Sequence, residues 1–194
     1  NFTDGMRGAR FLSGDGRCKT FDDTANGYVR AEGGGLVLLV NRRLVDQHYA
    51  VVAGSAINQN GGRAQVITAP HPEAQEEVIL DACSEAAIDP RKISYIECHG
   101  TGTKIGDPIE VSAIQNTIAK NRGDTCYLGS VKSNIGHLES AAGIAGLIKS
   151  VLILNHGTIP ANLHFTMPNQ FIDFDSYHLQ VVAEETPIDS ESIV

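Results

Sequence analysis

From residue 72 onward the sequence alternates between segments with helical periodicity and short apolar segments, and this alternation constrains the fold more than any other feature. Apolar residues recur at helical intervals in PEAQEEVILDACSEAA (72–87), with acidic residues early in the segment. ISYIEC (93–98) and CYLGSV (126–131) are predicted strands, and IEVSAIQNTIAK (109–120) is a predicted amphipathic helix between them. Strands that alternate with helices predict an α/β fold with a mainly parallel sheet.

The part of the chain before this alternation has a different character. The first 35 residues are rich in glycine and aspartate, which predicts loops that line a site. LVLLV (36–40) and YAVVAGSAI (49–57) are apolar and are predicted to form two antiparallel strands. The chain begins without methionine and stops soon after the turn-like ETPIDS (185–190), so we expect it to be a piece of a longer protein.

Composition excludes several classes of protein. The 194 residues, 42% of them hydrophobic, suffice for the core of one domain or of a large part of one. A net charge of −8 is unsuited to a nucleic-acid-binding protein. No apolar run approaches the roughly 20 residues of a membrane span, and the first residues, NFTDGMRGAR, lack the charged-then-apolar layout of a signal peptide, so we expect a cytoplasmic protein. The cysteines lack zinc-ligand or paired spacing, which predicts reduced core thiols and no metal site: Cys18, Cys83, Cys98 and Cys126.

The segment HGTGTKIGDPIE (99–110) lies between a predicted strand and a predicted helix, where α/β folds bind ligands. His99 closes the strand beside glycines that leave room for a ligand, so we predict a functional histidine. Thr101 and Thr103 offer hydroxyl groups to an amide-bearing ligand, or are solvated loop positions. The segment does not follow the order of glycine, lysine and hydroxyl residue that is typical of a phosphate-binding loop.

Two acidic residues in this segment have competing interpretations. Asp107 precedes Pro108, which predicts a helix with Asp107 as its N-cap. Glu110 follows Asp107 by three residues, the spacing of a capping box. A carboxylate in the first helical turn can also face the crevice and pair with Lys132, so both interpretations of Glu110 stay open.

A second segment, VKSNIGHLESAAGIAGLIK (131–149), carries Lys132 and His137 at the start of a helix that is apolar nearly all round. This predicts a helix packed on several sides, whose positive end favours the neutral form of His137. A neutral imidazole can donate an N–H to a developing oxyanion. We therefore predict that His99 and His137 together hold a thioester or ketone oxygen as it becomes an enolate, with Lys132 setting the local field. The alternative is a surface lysine and a helix-capping histidine.

These two segments together resemble the beta-ketoacyl synthase family, and more narrowly the ketosynthase domains of modular type I polyketide synthases. The resemblance covers nearly the whole chain, through DGRCKTFDDTANGYVRAEGGG, GSAINQNG, TAPHPEAQEEVI and IPANLHFTMPNQFIDFDS in that order. It implies a thiolase-like layered αβαβα fold. The chain would hold the end of the N-terminal half of that fold (1–65) and most of the C-terminal half (66–194).

The resemblance also implies a reaction, namely decarboxylative Claisen condensation of an acyl chain with a malonyl-type unit. Both are carried as thioesters, and the phosphopantetheine belongs to a partner acyl carrier protein, so the domain itself binds no cofactor. A homodimer is implied for the complete domain. The alternatives are a ketosynthase of fatty acid synthesis and a non-elongating or non-catalytic ketosynthase-like subunit. The family's catalytic positions are matched by His99, His137, Lys132 and Glu110, and its pantetheine contacts by Thr101 and Thr103.

The chain departs from the family at the catalytic nucleophile. The family nucleophile is a cysteine in an alanine-cysteine-serine-serine type of motif, upstream of the segment where this chain begins. DACSE (81–85) is a superficial near-match, but it lies on a predicted helix and out of order. We therefore expect this chain alone to carry the decarboxylation half of the site and to be inactive in condensation.

Overall fold

The computed structural model of the protein describes four parts of the chain: residue 5, residues 11–63, 70–189 and 191–194. The expected boundary between the two halves, at residues 65 and 66, lies outside them. Five strands occur in the described residues, namely β1 (Tyr95–Glu97), β2 (Cys126–Gly129), β3 (Thr158–Ile159), β4 (Leu179–Val181) and β5 (Thr186–Pro187). The helices of at least four residues are α1 (Pro72–Ala86), α2 (Gly106–Asn116), α3 (Lys132–Ile135) and α4 (Ala142–His156).

The central sheet is parallel and has the strand order β1-β2-β4. Its register sets Glu97 opposite Gly129 and Cys126 opposite Leu179. A second sheet pairs β3 with β5 in antiparallel fashion. The predicted α/β fold with a parallel sheet is thus confirmed, since β1 and β2 are joined by the crossover helix α2.

Side-chain alternation along β1 divides the interior into two apolar clusters. Ile96 and Cys98 belong to the cluster that includes residues of α2, whereas Tyr95 belongs to the cluster with Ile153 of α4. The prediction that Cys98 is a core residue is confirmed. All four cysteines are buried and none forms a disulfide.

Helix α2 begins differently from the prediction. It starts at Gly106, and the predicted N-cap at Asp107 is wrong. The buried Asp107 carboxylate instead accepts backbone N–H groups from Gly102, Thr103 and Phe21. The Thr103 hydroxyl accepts from the Gly106 N–H at 3.2 Å, so it occupies the role that was predicted for the acid.

The predicted single helix after β2 is divided in two. Gly136 has φ +77°, outside the helical region, and its N–H donates to the Lys132 carbonyl to end α3. His137 therefore lies in a break between helices, followed by a 3-10 turn and then α4. Within the described residues α4 buries only Lys149 and Ile153, so the predicted packing on several sides is not found there. No described helix has the length and apolarity that crossing a membrane requires.

The two strands predicted before residue 60 are also wrong. Residues 36–40 and 49–57 form no strand, and Leu36 and Ile57 are each 97% exposed. A strand needs a neighbouring strand for its backbone hydrogen bonds, and the described residues provide none beside these segments. Residues 49–57 lie beside helices instead. The Tyr49 carbonyl, for example, accepts from the Asn155 side chain of α4 at 2.9 Å.

A fully buried carboxylate, that of Asp22, joins two loops that flank the sheet. One oxygen accepts from the N–H and hydroxyl of Thr24, and the other from the N–H and hydroxyl of Thr166 and from the N–H of Met167. Burial raises the pKa of Asp22, but these hydrogen bonds outweigh burial and hold the pKa well below its usual range.

We predict that Asp22→Asn lowers the free energy of unfolding by about 3 kcal/mol, because an amide group cannot accept from both sets of donors. Because the folded pKa lies below the ordinary value of 3.8, the wild-type advantage is present above pH 3.8 and is lost as the pH falls below it. Urea denaturation at several pH values measures both effects. The matched control is Asp23→Asn, since Asp23 is partly exposed and accepts one 3.3 Å bond, from Gln170. Equal losses in the two variants would contradict the prediction.

Candidate active site

The candidate site lies beyond the carboxyl ends of β1 and β2. His99 follows the end of β1 by two residues, and Lys132, the first residue of α3, follows the end of β2 by three. The rings of His99 and His137 meet edge to face, with centroids 5.5 Å apart. The structure therefore brings together, in one crevice, two histidines that sequence reasoning placed there from separate motifs.

His99 is positioned by the turn that follows it. The Glu110 carboxylate accepts the backbone N–H groups of His99 at 2.6 Å and of Gly100 at 2.9 Å. Gly100 has φ +43°, and a Cβ there would lie 2.5 Å from the Thr20 side chain and 2.8 Å from Ser130. The interpretation that this glycine makes room for a ligand is wrong, because it makes room for neighbouring parts of the chain.

Glu110 acts on the loop more directly than on Lys132. Both of its oxygens are engaged by the backbone of residues 99 and 100, and no ion pair of Glu110 with Lys132 occurs among the described residues. Burial raises the pKa of Glu110 to about 7, while the two N–H donors and the charge of Lys132 act in the opposite direction. The two groups interact through their charges without direct contact.

Lys132 is 5% exposed, although it carries an ammonium group. Across the described ranges, that ammonium makes no hydrogen bond and no ion pair within 4 Å. Burial lowers the pKa of Lys132, and the negative charges of Glu110 and Glu97 raise it again in part. No buried side-chain nitrogen of the described residues lacks a hydrogen-bond partner, so the Lys132 Nζ remains accessible to solvent while the rest of the side chain is buried. A cation placed in this way is typical of a functional group.

The backbone of His137 is held by the glycine-rich N-terminal segment. Its N–H donates to the Val29 carbonyl at 2.7 Å, and its carbonyl accepts from the Ala31 N–H at 2.9 Å. The Tyr28 ring lies 5.0 Å from the imidazole, centroid to centroid. The Nδ1 atom accepts from the Glu139 N–H at 2.9 Å, so the proton of the neutral ring is on Nε2.

Both histidines favour the neutral form. Although His99 has exposed surface at the crevice, desolvation by the surrounding protein lowers its pKa to about 4, and the charges of Lys132 and His137 contribute. Burial and then the charge of Lys132 lower the pKa of His137. Burial and the lysine thus replace the helix-dipole effect that the sequence suggested, because α4 begins five residues after His137 and such an effect fades within one turn.

The two threonines lie on the same loop as His99. Thr101 is buried, and its hydroxyl is 3.3 Å from that of Thr103. Thr101 also lines a cavity of about 520 Å³ together with His99 and Glu110. A hydroxyl at the wall of a cavity, as that of Thr101 is, can donate to or accept from an amide-bearing ligand.

Sequence reasoning missed two residues of this region, Tyr28 and Glu97. Tyr28 lies against His137 although the two are far apart in the sequence, so no local pattern indicates the contact. Glu97 gave a usable signal, because an acid inside the apolar ISYIEC segment predicts a buried carboxylate that needs a partner.

Comparisons with known proteins identify the family of the chain. The family model described as beta-ketoacyl synthase, C-terminal domain, matches residues 49–166, and the model for the N-terminal domain of the same family matches residues 2–44. One of the phenolphthiocerol/phthiocerol polyketide synthase proteins of Mycobacterium tuberculosis is 49% identical over 182 residues, which are 91% of this chain and 12% of that protein. The hybrid PKS-NRPS synthetase pytA of Aspergillus terreus is 44% identical over 177 residues, 89% of this chain and 26% of that protein.

Solved structures give the same result. The ketosynthase from module 6 of the bacillaene synthase of Bacillus subtilis 168 superposes with a TM-score of 0.93 at 40% identity, over 98% of this chain and 35% of that one. The oxazolomycin ketosynthase domain OzmH KS7 of Streptomyces albus JA3453 gives a TM-score of 0.89 at 36% identity, over 94% of this chain and 32% of that one. The chain spans about a third of the length of these ketosynthases, and their likeness confirms the thiolase-like α/β fold. The chain belongs to the beta-ketoacyl synthase family and corresponds to part of a ketosynthase domain of the polyketide synthase type.

Proposed function

We propose that the complete domain catalyses decarboxylative Claisen condensation of an acyl thioester with a malonyl-type thioester in polyketide assembly. The observation that carries this proposal is the pair of neutral imidazoles, His99 and His137, with centroids 5.5 Å apart beside the buried Lys132. Fatty acid synthesis would use the same chemistry, but the names of the relatives favour polyketide assembly.

In the first step, the bond between the α-carbon and the carboxylate of the malonyl unit breaks and carbon dioxide leaves. The electron pair moves into an enolate whose oxygen gains negative charge. His99 and His137 each donate an N–H to that oxygen, and His137 uses Nε2 because Nδ1 accepts from Glu139. Two fixed donors at a developing oxyanion provide a large part of the rate enhancement in such reactions.

In the second step, the enolate carbon attacks the carbonyl carbon of the acyl thioester. A carbon–carbon bond forms, and the thiolate that carried the acyl chain leaves. We assign that thiolate to a cysteine outside this chain, because burial raises the pKa of all four cysteines here: Cys18, Cys83, Cys98 and Cys126. A buried thiol with a raised pKa is a poor nucleophile at neutral pH.

The remaining site residues orient and tune these groups. Burial and then the charge of Lys132 favour the neutral form of both histidines, and Glu110 fixes the backbone of His99. Thr101, at the wall of the cavity, and Thr103, whose hydroxyl lies 3.3 Å from that of Thr101, contact the pantetheine arm of the substrate. The partner in this scheme is an acyl carrier protein in the cytoplasm, and the complete domain acts as a homodimer.

The His137→Ala variant of the complete domain is expected to release carbon dioxide from a malonyl thioester on the order of 100-fold more slowly, because one oxyanion donor is lost. Acyl loading of the domain is expected to stay near the wild-type rate, since that step needs the thiol. Radiolabelled malonyl thioester measures the first reaction and intact mass the second. The control is His178→Ala, an exposed histidine outside the crevice. Unchanged carbon dioxide release in the His137 variant would refute the mechanism.

The Lys132→Met variant is expected to raise the pKa values of His99 and His137, because the lysine charge lowers both. The increase should be on the order of one pH unit, as is typical of a nearby like charge. Titration of 15N-labelled imidazoles by NMR measures it. If neither ring responds, the electrostatic role of Lys132 is wrong.

The 194-residue chain alone is expected to form no acyl adduct with a reactive acyl thioester, because its four thiols are buried. Intact mass spectrometry after incubation at neutral pH measures adduct formation. The control is the same chain unfolded in urea, in which the exposed thiols react. Stoichiometric acylation of the folded chain at any cysteine would contradict the expectation.

A further inference from the structure

We propose that Glu97 is a positioning residue for Lys132, held from one side by Tyr95 and Lys149 and bonded on the other to the backbone that leads into α3. This inference rests on the proposed function only in naming Lys132 as part of the machinery. The geometry and the direct experiment below do not depend on the reaction.

One oxygen of Glu97 belongs to a closed polar cluster at the α4 face of the sheet. Oε2 accepts from the Lys149 ammonium at 2.8 Å and from the Tyr95 hydroxyl at 2.6 Å. The same ammonium donates to the Tyr95 hydroxyl at 2.7 Å. The Glu97 and Lys149 side chains are 10% and 9% exposed, so they form an ion pair in the interior, and removing one partner would leave the other without its direct contact.

The other oxygen reaches the turn that begins α3. Oε1 accepts the Val131 N–H at 2.5 Å, and Val131 directly precedes Lys132. Glu97 is also the last residue of β1, two positions before His99. A single carboxylate therefore connects the strand that delivers His99 to the residue that delivers Lys132.

Helix α4 leaves space for this carboxylate at Gly146. A Cβ at Gly146 would lie 3.1 Å from the Glu97 Cγ, which is tighter than an ordinary contact. A Cβ at Gly143, one turn earlier, meets no described atom within 4 Å. Gly146→Ala therefore places a methyl group against Glu97, whereas Gly143→Ala is a matched control whose methyl group contacts no described atom.

The charge of Glu97 also acts on Lys132. Its negative charge raises the pKa of Lys132, but burial has the larger effect and the pKa stays below its ordinary value. Removing the carboxylate charge should therefore lower the pKa of Lys132 further. The titratable groups that face Lys132 from the surrounding elements are Glu110, Glu97, Cys18, Cys98, His99, His137 and Asp107.

The direct experiment compares Glu97→Gln, Lys149→Met and the double variant in the complete ketosynthase domain. NMR of lysines labelled with 13C at Cε gives the pKa of Lys132, assigned through Lys132→Met. We expect Glu97→Gln to lower it by on the order of one pH unit, because a nearby opposite charge is removed. The double variant, which leaves no unpaired ion, should recover stability relative to both single variants and retain the low pKa.

If Glu97 only stabilises the fold and does not act on Lys132, the double variant gives a different result. In that case the double variant regains both the stability and the Lys132 pKa of the wild type, and the proposal is wrong. A wild-type Lys132 pKa in folded Glu97→Gln would equally overturn it. If Glu97→Gln does not fold, Gly146→Ala against Gly143→Ala decides, because only the former should shift the Lys132 titration.

The pH dependence of decarboxylation in the Glu97→Gln variant provides a second measurement, which is independent of the Lys132 titration. If Lys132 acts as its ammonium form, the basic limb of the decarboxylation pH profile moves to lower pH in Glu97→Gln, in step with the Lys132 pKa. A moved pKa together with an unmoved profile would support the positioning role and count against the proposed function. An unmoved pKa would overturn the positioning role whatever the profile shows.

Discussion

Parallel pairing between β1 and β2 is the constraint on which the rest of the site depends. The register sets Glu97 opposite Gly129, so both strands end at one edge of the sheet. The residues that follow, His99 and Lys132, are thereby delivered to one crevice. A shift of β1 by one position would turn the Glu97 carboxylate towards the apolar cluster on the α2 face and would separate it from Lys149.

Buried carboxylates connect separate segments of this loop-rich region. Asp22, Asp107 and Glu110 each accept backbone N–H groups from a segment other than their own helix or strand, and these donors counteract the effect of burial on the pKa. Five donors keep Asp22 strongly acidic, whereas two backbone donors leave Glu110 with a pKa of about 7. Burial and hydrogen bonding oppose each other at every such group, and the balance differs from site to site.

Local patterns in the sequence were sufficient for the strand and helix alternation, and for His99 and Lys132 at the strand ends. These patterns failed where a contact with a residue far away in the sequence determines the local structure. Residues 36–40 are apolar enough for a strand, yet the described chain gives them no adjacent strand. Gly136 ends a helix that the apolar periodicity alone would continue. The contact of Tyr28 with His137 cannot be predicted from the sequence around either residue.

The short backbone pairing between the N-terminal loop and His137 joins the two segments that are matched by separate domain models of the family. Val29 and Ala31 lie in the segment matched by the N-terminal family model, and His137 lies in the segment matched by the C-terminal one. The two named domains of the family are therefore not independent modules in this region. Recombination between related synthases at that junction would pair His137 with a loop from the other parent, and the position of the imidazole would then depend on how well that foreign backbone fits.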